Sequence, residues 1–517
     1  MHQTSSTEAY IEEIYGKLLG RKPDKEGLSH YLGMLDRGEL THTEFVHNLK
    51  NSTEYWLRRF PGDIPRRALE NIALNDREIR EKRTVLRSRP YTFNIDLIGV
   101  CNMNPPCSMC FNWKDGRSPR YHKGLTVEDI KRFGEHLQLA HEVINCGIGE
   151  PLLNRDLIPI LQLFHDWGKP FGFNSNGLAL SPALTERLVP YFEILTILFS
   201  LDAATAETYA KVRGLFFDRV VANIAHYCAR RREVAPDGLA SKTGIVFMPM
   251  RSNRRETADF IRLGARLGVD VVELRALNRI DENWVVRRGD FTFDYFREIL
   301  TPAELEEVRQ EAAEVAAAEG VRLDCQYQVS PESTFAFFLP PEYRDLGVRC
   351  VLPWRFILPY QNGNTVPCCF ISEDLGDWRK TGLEKLWNGP FMQDLRGRMA
   401  TGKLPDPCRR FPSCPVVQAS LSEERRLHSG SAGAPAAHPA TDVPETMPAL
   451  RLRAPENRAF MKRVVRALRK RFNLELRHSL GEWLARQEKA DRELAEEVER
   501  LRAEVSELRR EREKPGS

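Results

Sequence analysis

Residues 91–110 read YTFNIDLIGV CNMNPPCSMC: a strand-like apolar stretch that runs straight into three cysteines. Five more stretches of the same kind follow. They are EVINCGIG (142–149), PFGFNSN (170–176), FEILTILFS (192–200), TGIVFMPM (243–250) and VDVVELRAL (269–277). Each precedes an amphipathic helical pattern, and repeated β–α units imply a parallel sheet or barrel. Six units are too few for a closed eight-fold barrel and suit an open one. The expected fold is therefore α/β, a partial (β/α)6 TIM-type barrel, with other material at both ends.

The whole chain agrees with this class. It has 517 residues, 42% hydrophobic and 29% charged, so it can bury a large core and is not wholly disordered. Seventy-six Lys and Arg against 72 Asp and Glu give +4, too balanced for a general nucleic-acid binder. No apolar run approaches the ~18 residues of a membrane span, and the N-terminus MHQTSSTEAYIEEIYG lacks the pattern of a signal peptide. Eleven cysteines without a secretion signal point to metal or redox chemistry in a cytoplasmic protein.

Cys101, Cys107 and Cys110 follow directly on the first strand. Barrels place their chemistry at the C-terminal ends of their strands. Three thiolates on one loop can hold a soft metal or an iron–sulfur cluster. Structural zinc usually takes four ligands, and the nearest further one, His122, lies twelve residues on, which favours the cluster. The second strand ends in Gly147-Ile148-Gly149-Glu150-Pro151, the third in Asn174-Ser175-Asn176-Gly177, the fourth in Ser200-Leu201-Asp202. Glycines let backbone approach a ligand, and short polar side chains can meet hydroxyl or carboxylate groups. Singly, each segment reads as a turn or a helix cap. Together, in order at one mouth, they favour a cofactor site.

The ordered set C-x5-C-x2-C, GIGEP, SNG and SLD followed by YAKVRG resembles the radical S-adenosylmethionine (SAM) superfamily over roughly residues 90–330. The resemblance implies a 4Fe–4S cluster on Cys101, Cys107 and Cys110 whose open iron binds SAM. One electron then cleaves SAM to methionine and a 5′-deoxyadenosyl radical that abstracts hydrogen from a substrate. It also implies that Gly147, Gly149 and Glu150 line the methionine amino group, and that Asn176, Ser200 and Arg213 meet the ribose and carboxylate. Two departures stand out. The first gap is two residues longer than the usual three, with Pro105-Pro106 inside it, and Met109 occupies a position that is often aromatic.

A second set follows. Cys350 begins C-x12-G-x4-C, with Gly363 and Cys368, and Cys408 and Cys414 come later. Four thiolates can close round zinc or an iron–sulfur cluster equally well. The segment, with its WNG…LR helix at 387–396, resembles the SPASM/Twitch extension of radical SAM proteins. This implies an auxiliary 4Fe–4S cluster on Cys350, Cys368, Cys408 and Cys414, with Cys369 an alternative to its neighbour. Cys146, Cys228 and Cys325 lie in apolar stretches and read as core thiols.

The flanks are simpler. Residues 1–60 read as a helical unit; within it residues 8–60, with YGKLLGRKPDKEGLSHYLGML and later NSTEYW, resemble a small bacterial domain of unknown function, similar in pattern to phycobilisome-linker repeats, which implies an interaction module. A connecting helical segment fills 61–87, the radical SAM core 88–330 and the auxiliary domain 331–426. Residues 427–455, rich in Ala, Pro, Gly and Ser, read as a disordered linker. In 456–517, MKRVVRALRKRF (461–472) is a basic amphipathic helix. Leu494, Val498, Leu501, Val505 and Leu508 make a short heptad seam, for self-association as a coiled coil or as a lone solvated helix. An enzyme of this kind needs a substrate and an external electron donor. The rival reading is a non-catalytic, zinc-stabilised adaptor. No residue is singled out as a catalytic acid or base.

Overall fold

The computed structural model describes residues 2–429 apart from 111–123, 146, 148, 237, 278–282, 327–336, 372 and 412–413. Cys146, His122, the basic helix, the heptad seam and nearly all of the linker lie outside the described residues.

All six expected strands are present: β1 (Thr92–Asn94), β2 (Glu142–Asn145), β3 (Phe171–Ser175), β4 (Leu195–Ser200), β5 (Thr243–Phe247) and β6 (Val271–Leu274). They pair in chain order and in parallel. On β3 and β4 the outward residues Phe171, Phe173, Leu195, Ile197 and Phe199 are buried beneath helices, while the alternate ones are partly exposed. That period of two is what lets one face pack on helices and the other line an open lumen.

Five strands were not expected. After β6 the chain makes an antiparallel hairpin, β7 (Val285–Arg288) and β8 (Phe291–Asp294). β9 (Leu323–Cys325) then pairs with β6, so Cys325 is partly buried on a sheet edge, whereas Cys228 is a core thiol. β10 (Phe356–Pro359) and β11 (Thr365–Val366) belong to the cysteine-rich segment, which is more regular than its composition suggests. β10 lies parallel to β1, with Thr92 opposite Phe356, and the full order is β11-β10-β1-β2-β3-β4-β5-β6-β9. The auxiliary segment therefore continues the barrel's own sheet.

Buried aromatics lash that junction. Trp354 and Trp387 are fully buried, and their indole N–H groups donate to Arg83 O (2.6 Å) and Ser88 O (2.9 Å). Arg396, the arginine of the WNG…LR helix, is also fully buried. It donates to Pro353 O, Thr84 O and Trp387 O at 2.8–2.9 Å. Burial pushes its guanidinium down to about 9. Bonds from a charged donor contribute about 1.5–3 kcal/mol each, which offsets the desolvation of a cation left without a close carboxylate.

The N-terminal unit is four helices, α1 (His2–Leu19), α2 (Lys25–Asp36), α3 (His42–Lys50) and α4 (Thr53–Arg59), followed by α5 (Asp63–Arg80). Ile11, Ile14, Leu19, Phe45 and Leu49 form its core. Asp24 caps α2 by accepting from Gly27 N at 2.7 Å, so Asp24-Lys25-Glu26-Gly27 is the capped first turn of a helix. The unit docks on the barrel: Trp56 Nε1 donates to Gly168 O (2.8 Å), Tyr55 Oη to Glu193 Oε1 (2.7 Å) and Lys50 Nζ to Gly238 O (2.6 Å). These three acceptors lie just ahead of β3, β4 and β5, at the barrel floor and away from the strand ends that carry the cysteines.

Candidate metal and cofactor centres

The strand order delivers Cys101, Cys107 and Cys110 to the same mouth as the ends of β2, β3 and β4. Asn176, just past β3, donates from Nδ2 to Cys101 Sγ (3.5 Å) and Asn102 Oδ1 (2.8 Å). Arg213 closes the helix Ala206–Val212 and reaches Cys107 Sγ with Nη1 at 3.6 Å. Its Nε donates to Asp202 Oδ2 at 2.6 Å. Asp202 is fully buried with a left-handed backbone (φ 55°), and its other oxygen accepts from Met248 N at 2.7 Å. Burial alone would lower the Arg213 pKa; the negative charge of Asp202, then that of Cys107, outweighs it and holds the guanidinium above its ordinary value. A permanent cation and an amide donor thus face two of the three sulfurs. Burial pushes the Cys101 thiol up to about 11, so the thiolate needs a positive partner, as a cluster supplies.

Ser200 ends β4, partly exposed at the mouth. The glycines answer to the chain itself. A Cβ on Gly149 would stand 1.8 Å from Ile98 O, and one on Gly147 2.1 Å from Asp96 Oδ1. Glu150, 1% exposed, is turned inward. Its carboxylate accepts from Asn176 N (2.7 Å), Ser175 Oγ (2.8 Å) and Leu152 N (3.1 Å), and burial pushes it up to about 7 against those bonds. It braces the end of β2 against the end of β3.

Sequence reading missed the hairpin that clamps the cysteine loop. Trp284 Nε1 donates to Ser108 O at 2.9 Å. Arg288 donates to Ala210 O (3.0 Å), Lys211 O (3.2 Å) and, closely, Pro106 O. Ser108 is tied to the same helix end by N to Val212 O (2.9 Å) and Oγ to Lys211 O (2.8 Å). Met109 is buried in an apolar cluster with Trp284, Phe293 and Tyr295.

The second set is brought together from three segments. Cys350, Cys368, Cys408 and Cys414 line one cavity of about 30 Å³ with Phe338, Leu352, Met399, Phe411 and other apolar side chains, and among the described residues no charged one lines it. Cys369 does not line it and is exposed. Backbone N–H groups point at the sulfurs: Leu352 N at Cys350 (3.4 Å), Phe370 N and Ile371 N at Cys368 (3.4 and 3.3 Å). Burial first, and then their mutual charge, raises Cys350, takes Cys368 to about 11 and Cys408 to about 12. The cysteines stand round a cavity and not at one point. Among the described residues no three His, Cys, Asp or Glu side chains gather about a single ion position.

The radical SAM superfamily model matches residues 95–261, and the SPASM model, an iron–sulfur cluster-binding domain, matches residues 350–415. The chain thus carries a radical SAM domain and, after it, a SPASM domain. A domain of unknown function, DUF4214, matches residues 2–58, the helical unit on the floor of the radical SAM barrel. A curated relative is the AdoMet-dependent heme synthase of Methanosarcina barkeri, 29% identical over 132 residues. That stretch is 25% of this chain and 36% of the relative, so the match spans about a third of that protein's length. Similar solved structures include Streptococcus suis SuiB bound to S-adenosylmethionine, with 15% identity and a TM-score of 0.49 over 76% of this chain and 83% of that one. Another is anSMEcpe with bound AdoMet and the Cp18Cys peptide, with 14% identity and a TM-score of 0.44 over 65% and 97%. The radical SAM domain implies a 4Fe–4S cluster and SAM, and the SPASM domain implies auxiliary iron–sulfur binding. Buried thiols facing N–H donors, with Arg213 at the first set, suit such groups.

Proposed function

We propose that this chain reductively cleaves SAM at a 4Fe–4S cluster held by Cys101, Cys107 and Cys110, and directs the radical chemistry at a substrate seated in the barrel. When bound, the cluster and SAM supply the electron transfer and bond cleavage; the protein supplies placement and electrostatics. The observation that carries the reading is the three-cysteine loop at the strand-end mouth, with Asn176 and Arg213 donating to its sulfurs. Three thiolates leave one iron open for SAM. Asn176, Ser200 and Arg213 then stand where SAM's ribose and carboxylate enter, Gly147 and Gly149 offer backbone to its methionine end, and Glu150 holds Asn176 in place. Cys350, Cys368, Cys408 and Cys414 take an auxiliary cluster, which fills a cavity where one zinc ion would need its sulfurs at about 2.3 Å. Electrons come from an external donor, in the cytoplasm. The N-terminal helices engage a protein partner, and the heptad seam a second copy.

Protein purified without oxygen tests this. Iron and sulfide in near-equal amounts, with 5′-deoxyadenosine released from SAM on dithionite reduction, is the expected result. Zinc in their place, with SAM left intact, supports the adaptor instead.

A further inference from the structure

Asp96 and Gln361 face each other across the junction between barrel and auxiliary segment. Asp96 follows β1 and is 2% exposed; Gln361, in the β10–β11 turn, is 6% exposed. Gln361 Nε2 donates to Asp96 Oδ2 at 3.2 Å. That single bond leaves two acceptors over. Asp96 Oδ1 and Gln361 Oε1 are both buried without a hydrogen-bond partner among the described residues. Buried acceptors are nearly always satisfied, and one left alone carries the full cost of its desolvation. The orphaned carboxylate oxygen lies against Gly147, just past the end of β2.

Two acceptors and no donor describe half of a site. We infer that Asp96 and Gln361 form a binding subsite for a group with several N–H donors, a primary ammonium or amide carried by the ligand in the barrel. The inference rests on the proposed SAM-dependent function for its setting. Two ligands carry such a group: SAM itself, through its α-ammonium, and an amine- or amide-bearing substrate. Because one of the pair comes from the auxiliary segment, occupancy of the subsite also fixes that segment against β1.

Burial pushes Asp96 up to about 6 from its ordinary 3.8. A raised carboxyl binds more protons folded than unfolded, so its contribution to stability falls as pH rises between those two values. Asp96→Asn removes that cost and gives Gln361 Oε1 an N–H. The loaded variant should melt higher than wild type by roughly 2–4 °C at pH 8, with the gain vanishing near pH 4 on this linkage.

The decisive measurement is anaerobic melting of the cluster-loaded protein titrated with methylammonium, against tetramethylammonium, which has no N–H. Methylammonium should stabilise wild type and not Asp96→Asn, and Gln361→Met should lose most of the effect. Calorimetry with SAM then separates the sources. A loss of SAM affinity of roughly tenfold in Asp96→Asn, as for one hydrogen bond to a charged group, names the α-ammonium. Unchanged SAM affinity, with methylammonium still selective on the SAM complex, names the substrate. Equal response to both cations, with SAM affinity unchanged in both variants, overturns the inference. Failure of wild type to bind SAM would sink the proposed function, while the methylammonium comparison would still judge the subsite.

Discussion

The two cysteine sets are built on opposite principles. The first lies on one loop at a polar mouth, where an arginine and an asparagine donate to its sulfurs and the end of β4 supplies the partly exposed Ser200. The second is gathered from three segments around a cavity lined, among the described residues, by cysteines and apolar side chains, with backbone N–H groups as its donors. Three thiols beside charged and polar groups leave a position for a charged ligand. Four thiols in an apolar shell leave none. Openness is set by ligand count and surroundings together, which is why the proposed function gives SAM to the first centre.

Replacing Cys101, Cys107 and Cys110 together by Ala should have the largest effect. It should abolish 5′-deoxyadenosine formation while circular dichroism stays native, because the barrel is held by its strands and helices. About four irons per chain should remain, the count of one four-thiolate cluster, with a reduced-state paramagnetic signal unmoved by SAM. Undiminished cleavage, or a residual signal that shifts with SAM, would erase the contrast between the two centres.

Next in size is the choice between adjacent cysteines. Cys368 lines the cavity and its sulfur accepts from Phe370 N and Ile371 N; Cys369 is exposed. In the triple-alanine background, Cys368→Ala should lose most of the remaining iron and Cys369→Ala little. The reverse result would mean that the loop turns over when loaded.

Much of this was legible in the sequence, for a physical reason. The six barrel strands announce themselves because one face of each packs on helices, and the cysteine spacings survive because ligands must sit on short loops. What escaped reading depends on distant partners. β10 pairs with β1 across more than two hundred residues, and nothing local in FILP says so. Nothing local in GIGEP shows that Glu150 accepts from Ser175, Asn176 and Leu152. The β7–β8 hairpin does carry a signal: in VVRR-GD-FTFD a Gly-Asp turn, with Gly289 at φ 55°, is followed by the alternating run FTFD. Its first strand, VVRR, does not alternate, which hides the pair within the β–α pattern around it.

That hairpin sharpens the comparison most finely. The auxiliary cysteines are held by the shell that surrounds them, whereas the first loop, longer by two residues, borrows its rigidity from a separate element. Arg288 makes that link. Its guanidinium bridges Pro106 O, inside the lengthened gap, to the carbonyls of Ala210 and Lys211 at the end of the helix that carries Arg213. Removing it takes this donor from Pro106 O and Ala210 O, while Lys211 O keeps its bond from Ser108 Oγ, so the expected net loss is about 1–2 kcal/mol, a factor of roughly 5–30. Arg288→Ala should therefore weaken SAM binding by that factor and shorten the lifetime of the SAM-binding cluster in air, while the auxiliary iron stays at its wild-type level. Arg288→Lys should recover only part of the loss, because an ammonium cannot present the fixed fork that spans separate carbonyls. Calorimetry with SAM and the time course of iron release, referred to the triple-alanine protein, measure both effects. If the two iron pools decay together, the hairpin supports the whole fold and not the first loop.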